Sequence, residues 1–343
     1  MATKTSQRLI TGSWNVPVPR PSVVMLSRRV HSPKPAREGG VYVVDLFAGI
    51  GGWSEGARQS GHAVVLAVDC DERKLRIHMK NHPECAHMVM WCGPDTEEAL
   101  VAKIGKLVPQ DAKWHLHGSP PCHTISSMRN SSYTRDPNSG LSAVIWYLTL
   151  VQRLKPNTWS MEEVSHQQLV GVLSTMQYMY PQTVSFIASC DAAEFGVPQH
   201  RERCIAGSPR LIERLANDTS LRRKAKCVSE VLTPPPDTVF IKTSASKLPD
   251  LTHNVRNADG SYSNDSMPQG FYTLDSLAPT CLARHTHMWA RIDFTTVRQL
   301  TLREQATLQT FPVHYQFAAV GDSTTGIGNA VPPQLAHIFM DGV

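Results

Sequence analysis

Residues 41–53 read VYVVDLFAGIGGW. The β-branched run at 41–47 has the pattern of a strand buried on both faces. Glycines follow at 49, 51 and 52, and then a helical stretch over 54–61 that closes on Gly61. This strand–turn–helix unit constrains the chain most, because glycines at the carboxyl end of a parallel strand let backbone N–H groups approach a ligand. The rhythm then repeats. AVVLAVD (63–69) reads as a second buried strand and 71–82 as a helix. Further strand candidates at 87–91, 113–118, 157–162, 183–191 and 201–208 alternate with helices expected over 96–107, 142–154 and 167–179. Such alternation predicts βαβ units and a mostly parallel α/β sheet.

The alternation stops near Pro209. Residues 210–295 are rich in Pro, Ser, Thr, Asn and Asp, with one short helical stretch over 211–225, and read as a smaller lobe. Helical pattern returns over 301–312. Four segments are therefore expected: an arm at 1–40, a main domain at 41–209, the lobe at 210–295 and a C-terminal segment at 296–343. No internal repeat is present, and no apolar run approaches the ~18 residues of a membrane span. The first 37 residues hold Lys4, Arg8, Arg20, Arg28, Arg29, Lys34 and Arg37 and no acidic residue. They read as a largely disordered basic arm, open to use as a solvated tail, a phosphate-contacting arm or an organelle transit segment. The net charge of +5 is a weak hint of an anionic partner. Eight cysteines include no C-x-x-C pair, so no zinc site is expected and the thiols read as reduced and intracellular.

The glycine turn is not G-x-G-x-x-G, which turns the expectation away from a dinucleotide. Asp69, ending the second strand, is placed to accept hydrogen bonds from a ribose diol, and Asp95, after the third, from an adenine amino group. An acidic ribose partner argues against a phosphorylated ribose. A nucleoside such as S-adenosylmethionine fits; the alternative is a tight turn with surface aspartates.

Cys122 follows the fourth strand in LHGSPPCHTIS (116–126). The loop after it, 123–140, is rich in Ser, Asn and Arg and suits a lid over a polar substrate. Glu162 and Glu163 end the fifth strand. Arg201 and Arg203, two apart, share one face of a strand. Each has a plainer reading: a packed thiol, a solvated strand end, surface ion pairs. Their common place at one end of the sheet favours chemistry. A thiolate adding to carbon 6 of cytosine makes carbon 5 enamine-like and able to accept a methyl group. A carboxyl at ring nitrogen 3 and a guanidinium at the ring oxygen stabilise that species. The base must first leave the duplex stack.

With these residues the chain resembles the cytosine-C5 DNA methyltransferase family from about 41 to 339. DLFAGIGG resembles the cofactor motif and AVDCDERKLRIHMKNHP the ribose-binding segment. SPPCH stands where the family has Pro-Cys-Gln, and MEEV at Glu-Asn-Val. VPQHRER matches Gln-x-Arg-x-Arg, while RQLTLREQATLQTFP and GIGNAVPPQLAHIF match two C-terminal motifs. The resemblance implies a Rossmann-like S-adenosylmethionine-dependent methyltransferase sheet with a target-recognition lobe. It makes Cys122 the nucleophile, Glu162 the carboxyl at nitrogen 3, and Arg203 and Arg201 the groups holding base and loop. Cofactor contacts are implied for Asp45, Phe47, Gly49, Ile50, Gly51, Gly52, Asp69, Cys70, Asp95, Thr96, Ser119, Pro121, Asn329 and Ala330, so that the last motif completes the first. Substrate contacts are implied for His123, Ser126, Gln199 and Thr280, the last in APTCLAR (278–284). Arg222, Arg223, Lys224, Lys226, Arg256 and Arg284 suit phosphate and base-edge contacts by the lobe.

The resembled enzymes are the compact bacterial, phage or viral kind. Double-stranded DNA is the implied partner, with no metal, no membrane and a monomeric protein, in a prokaryotic cytoplasm or in a nucleus or viral factory. Methylation of RNA is an alternative, although the Cys-Phe-Thr signature of the tRNA-methylating branch is absent; a binding-only homologue is another. Two positions depart from the family: His123 for Gln, and Glu163 for Asn. A second carboxyl beside Glu162 raises the pKa of one of the two. That either helps keep Glu162 protonated or disturbs the loop, and His123 and Glu163 are expected to compensate for each other.

Overall fold

The computed structural model describes residues 23–26, 38–121, 139–242, 271–283, 287–291, 297–318 and 320–343. Most of the basic arm, Cys122, His123, Ser126, and Arg256 and Arg284 of the lobe lie outside these residues.

Among the described residues the main sheet has eight strands: β1 (Val24–Met25), β2 (Tyr42–Leu46), β3 (Ala63–Asp69), β4 (Ala86–Val89), β5 (Trp114–Gly118), β6 (Thr158–Glu163), β7 (Ser185–Asp191) and β8 (Glu202–Gly207). Their order is β1-β4-β3-β2-β5-β6-β8-β7. From β4 to β6 the strands run parallel. Val, Leu and Ala fill β2 and β3 and are buried on both faces. β8 runs antiparallel between β6 and β7. Residues 192–201, which join β7 to β8, are too few for a crossover helix, so the chain must reverse. Val24 and Met25, inside the arm expected to lack structure, pair antiparallel with β4.

Helices α1 (Gly52–Gln59), α2 (Glu72–Asn81), α3 (Glu97–Leu107), α4 (Ser139–Leu154) and α5 (Gln167–Met179) connect the strands as the pattern requires. α6 (Pro209–Asn217) falls in the range read as lobe, yet it buries Leu211, Ile212 and Leu215 in the same cluster as Val43 and Phe339 of the main domain. The lobe proper begins later. Four short strands, β9 (Thr238–Lys242), β10 (Phe271–Tyr272), β11 (His287–Arg291) and β12 (Val297–Gln299), form an antiparallel sheet in the order β10-β9-β11-β12. Phe240, Trp289, Leu300 and Leu308 pack its core together with Val228 of α7 (Val228–Val231).

The lobe and the C-terminal segment share α8 (Leu302–Leu308), which opens on a Thr301/Glu304 capping box. Glu304 also accepts from Trp289 Nε1 at 3.0 Å and binds Arg298 through both oxygens. Burial pushes its carboxyl up, but bonds from Arg298, Thr301 and Trp289 outweigh that and hold it near 2. The last helix, α10 (Pro333–Met340), packs on α1 and closes the main domain, while α9 (Val320–Asn329) before it packs on α2 and α8.

Candidate active site

The glycine turn after β2 is a left-handed bend. Phe47, Gly49 and Gly51 have φ of 58°, 54° and 99°. A Cβ on Gly51 would lie 2.6 Å from Tyr315 Oη and 2.9 Å from the His78 ring. Tyr315 donates its hydroxyl to the Ile50 carbonyl from beneath the turn. Gly52 abuts the Val331 carbonyl and Ala330 Cβ, Gly56 lies against Ala336, and Gly326 against Ile50. Sequence positions as far apart as 56 and 336 thus meet with no room for a further carbon, and residues 330–331 sit at the start of α1. Asn329 ends α9 exposed.

On its other side the turn is open: a Cβ at Gly49 would meet nothing within 4 Å. Asp69 is anchored there. Its Oδ2 accepts from Gly49 N and its Oδ1 from Asp71 N, each at 2.8 Å. Burial raises its pKa against the pull of these two bonds. Phe47 is half-buried and edge-on to Trp146 at 6.3 Å. Cys70 is exposed beside Asp69, and the partial burial of its thiol, with the Asp69 charge next, pushes it up to about 11. Asp95 is exposed on a 3-10 turn, Pro94–Thr96. Ser119 donates its N–H to the Leu46 carbonyl at 3.3 Å, which brings the end of β5 beside the turn, with Pro121 half-buried two residues on. Trp91, absent from the sequence reading, stands 67% exposed just past β4. An aromatic residue directly after a strand at the ligand edge was the signal for it.

Three residues expected at the cofactor face inward instead. Asp45 is 1% exposed and accepts from Ser54 Oγ at 2.6 Å. Ser54 in turn bonds the His78 ring, which bonds His87. Burial pushes Asp45 up to about 7, and through Ser54 its carboxyl braces α1. The Ile50 side chain packs among Ile77, Phe311, Tyr315 and Ile327. The Thr96 hydroxyl is spent inside its own turn, on the carbonyls of Trp91 at 2.6 Å and Gly93 at 3.0 Å.

At the other end of the site, β6 and β8 pair Glu162 with Arg203. Arg203 Nε lies 2.8 Å from Glu162 Oε1, and both side chains are almost wholly buried. Glu163 is buried too. One oxygen accepts from Val164 N and the other has no hydrogen-bond partner. Burial, with the neighbouring Glu162 charge second, pushes its pKa well above the ordinary range.

Arg201 does not join this pair. It is 1% exposed and donates to the carbonyls of Cys281, Gly328 and Ala330 at 3.4, 3.2 and 3.0 Å. Gln199, expected at the substrate, is fully buried. Its Nε2 donates to Leu308 O at 2.7 Å and Gln309 Oε1 at 2.6 Å, and its Oε1 accepts from Cys281 N at 2.8 Å. Both residues clamp the main domain, the lobe and the C-terminal segment together. Thr280 is half-buried and donates to the His200 carbonyl at 2.6 Å, on the strip where residues 198–200 pair with Ala278. Arg222 pairs with Glu194 at 2.9 Å and lies over the Phe195 ring, while Arg223, Lys224 and Lys226 are exposed.

The donor set around the open side of the turn fits S-adenosylmethionine. It offers a carboxylate for a diol at Asp69, an aromatic face at Phe47, a further carboxylate at Asp95, and clear space over Gly49. Among the described residues no group of His, Cys, Asp and Glu is arranged to hold a metal ion, and no helix is long and apolar enough to cross a membrane.

Comparison with known proteins agrees with this geometry. The model of the C-5 cytosine-specific DNA methylases matches residues 41–266 and 238–342. Type II methyltransferase M.HindV of Haemophilus influenzae is 27% identical over 326 residues, covering 88% of this chain and 95% of the relative. Type II methyltransferase M.HgiDI of Herpetosiphon aurantiacus is 27% identical over 315 residues, 86% of this chain and 92% of the relative. The crystal structure of the S. pombe Dnmt2 methyltransferase superposes with a TM-score of 0.61 at 16% identity, covering 88% of this chain and 97% of that one, a likeness of fold.

Proposed function

From the premise that the chain belongs to the C-5 cytosine-specific DNA methylases, we propose that it methylates carbon 5 of a flipped cytosine in duplex DNA through a covalent adduct on Cys122. The observation that carries the site assignment is the buried Glu162–Arg203 pair, 2.8 Å apart at the carboxyl end of β6. An ion pair held in place before the base arrives costs no reorganisation during reaction. Glu162 faces ring nitrogen 3, where charge develops as the thiolate adds to carbon 6. Arg203 orients that carboxyl and reaches the ring oxygen. S-adenosylmethionine supplies an activated methyl group. Asp69 holds its ribose, Phe47 and Asp95 its adenine, and the turn at Gly49–Gly51 its methionine end, with Ser119, Pro121 and Asn329 along the rim. Arg201 and Gln199 act from behind as positioning residues, and Thr280 steadies the strip that meets the flipped nucleotide.

The lobe around β9–β12 is the part assigned to reading the bases that flank the target. Exposed Arg223, Lys224 and Lys226 suit phosphate contacts. Since M.HindV and M.HgiDI are type II methyltransferases in name, pairing with a restriction enzyme is the natural role.

Incubation with tritiated methyl donor and duplex DNA is the direct test. The wild-type chain is expected to label DNA, and Cys122→Ser to abolish labelling with cofactor affinity unchanged. 5-Fluorocytosine DNA should trap an adduct on Cys122. Label in RNA alone, or full activity in Cys122→Ser, would overturn the reading.

A further inference from the structure

Two histidines of β5 have no part in the site described so far. In the parallel register His115 lies beside Thr158 and His117 beside Ser160, so the four side chains share one face of the sheet. They form an unbroken hydrogen-bonded chain. Thr158 Oγ1 meets His115 Nδ1 at 2.9 Å, and His115 Nε2 meets Ser160 Oγ at 2.8 Å. Ser160 Oγ meets His117 Nδ1 at 2.8 Å, and His117 Nε2 meets Ser119 Oγ at 2.9 Å. Both rings are fully buried. Trp53 is stacked on His117 at 3.6 Å and 3°, and Phe339 stands edge-on to His115 at 6.3 Å.

The ends of the chain matter most. Ser119 lies at the carboxyl edge of the sheet, bonded to the end of β2 beside the glycine turn. Thr158 lines a cavity of about 870 Å³ at the opposite, amino edge, together with Lys113, Asn157 and Ser208. A neutral imidazole donates one hydrogen bond and accepts one, and a hydroxyl can do the same. All five groups can therefore point one way or all the other, with every bond kept in both states. Burial, with the nearby His62 second for His115, holds that ring near pKa 3, and burial holds His117 well below its ordinary range. The chain thus rests neutral.

Building on the proposed reaction, we propose that Ser119, His117, Ser160, His115 and Thr158 form a reversible proton relay between the methyl-transfer cleft and the cavity at the amino edge of the sheet. When the nucleophile adds, the S–C6 bond forms, the thiol gives up its proton, and Ser119 Oγ takes one up at the cleft. One proton shifts along each bond, and another leaves Thr158 Oγ1 into the cavity. When the adduct breaks, the S–C6 electron pair returns to sulfur. A proton enters at Thr158, and Ser119 returns one to the cleft as the thiol re-forms. The carbon 5 proton leaves separately, to solvent in the cleft. This out-and-back use matches the chemistry of the rings. Each passage swaps the nitrogen that carries hydrogen, and the return passage restores it.

Two substitutions cut the chain away from the groups that touch ligand: Ser160→Ala in the middle and Thr158→Val at the far end. The measurement is the single-turnover rate of covalent adduct formation on a 5-fluorocytosine duplex with S-adenosylmethionine, in mixtures of light and heavy water. The wild type is expected to show a bowed dependence on deuterium fraction, the mark of several protons in flight. Both variants should form adduct at least ~10-fold more slowly, within the range of general acid–base catalysis, and with a straight dependence. Melting temperature and cofactor affinity should stay at wild-type values. Thr158→Val decides alone if Ser160→Ala does not fold. Wild-type rates with a bowed profile in the variants would overturn the relay. So would a rate loss that follows lost cofactor affinity, which marks a packing role. A wild-type protein that forms no adduct removes the reaction itself, a result distinct from either.

Discussion

The two ends of the catalytic cleft are held by opposite means. At the glycine turn, bare glycine backbone is packed close: Gly52 lies against the Val331 carbonyl, Gly56 against Ala336 and Gly326 against the Ile50 side chain, with no space for a methyl group. At the β6–β8 end, long polar side chains span the gaps. Arg203 reaches Glu162, Arg201 reaches three carbonyls, and Gln199 ties three segments. The first end therefore has no room for an added atom at Gly51, Gly52, Gly56 or Gly326, and the second none to lose. The difference suits the tasks proposed for them. A cofactor cradle needs backbone N–H groups brought close, whereas a base pocket needs charge aimed at particular ring atoms.

The largest break in this comparison is subtraction at the base end. Arg203→Ala removes the guanidinium and leaves Glu162 buried beside no cation. Turnover should fall roughly 100- to 1,000-fold, the usual loss for a preorganised electrostatic contact. Cofactor affinity should hold, because no described cofactor contact touches Arg203. A single-turnover methyl-transfer assay with calorimetric cofactor binding checks both. A matching loss of cofactor affinity would show that the two ends are not separate.

Addition at the turn is the counterpart. Gly51→Ala meets two costs: a left-handed φ of 99° and a Cβ at 2.6 Å from Tyr315 Oη. Strain of about 1–2 kcal/mol and overpacking of about 1–3 kcal/mol sum to roughly 3 kcal/mol of stability. Gly49→Ala has the strain at φ 54° but open space, and should lose only the smaller amount. Denaturant melts of the two variants separate strain from crowding.

How much of this could be read beforehand varies with the kind of information. The β-branched runs of β2 and β3 announce buried parallel strands, and the helices between them follow. The reversal at β8 was also there, in the short link 192–201, but the residue pattern of a strand carries no direction. α9 escaped notice because Gly321, Gly326 and Gly328 depress helix propensity. Only the structure shows why two of them are there: Gly326 and Gly328 let the helix pack on Ile50 and Leu282. In the candidate site, Asp69, Glu162 and Arg203 lie at strand ends, a placement that the strand pattern itself fixes. The side chains of Asp45, Thr96 and Gln199 are instead bonded within the protein. Motif order places a residue near the cleft but does not say on which side of the backbone its side chain is spent. The His115–His117 chain went unread for the same reason, since its meaning lies in the register with β6.

Glu163 tests the base end by subtracting charge without volume. Its folded pKa is raised, so the folded state holds a proton that the unfolded chain has lost above about 4.5. The stability this gives is complete below that value and is lost as pH rises toward the folded pKa. Glu163→Gln cannot ionise. Relative to wild type it should gain as pH climbs from 5 toward neutrality, by up to about 1.4 kcal/mol per pH unit. Urea melts across that range check the slope. A flat difference would mean that Glu163 is ionised in the fold.

The smallest effect concerns a residue that motif order assigns to the cofactor. Thr96 spends its hydroxyl on the carbonyls of Trp91 and Gly93, so Thr96→Val removes a turn contact and nothing a ligand would touch. The cost should be about 1 kcal/mol, the ordinary net worth of one buried hydrogen bond, with cofactor affinity at the wild-type value. Asp69→Asn, at the anchored carboxylate, should do the reverse and weaken cofactor binding out of proportion to any loss of stability. If calorimetry instead finds the larger affinity loss in Thr96→Val, the turn at 94–96 contacts the cofactor directly. The cradle would then depend on polar side chains as the base end does, and the contrast between the two ends would fail at its weakest point.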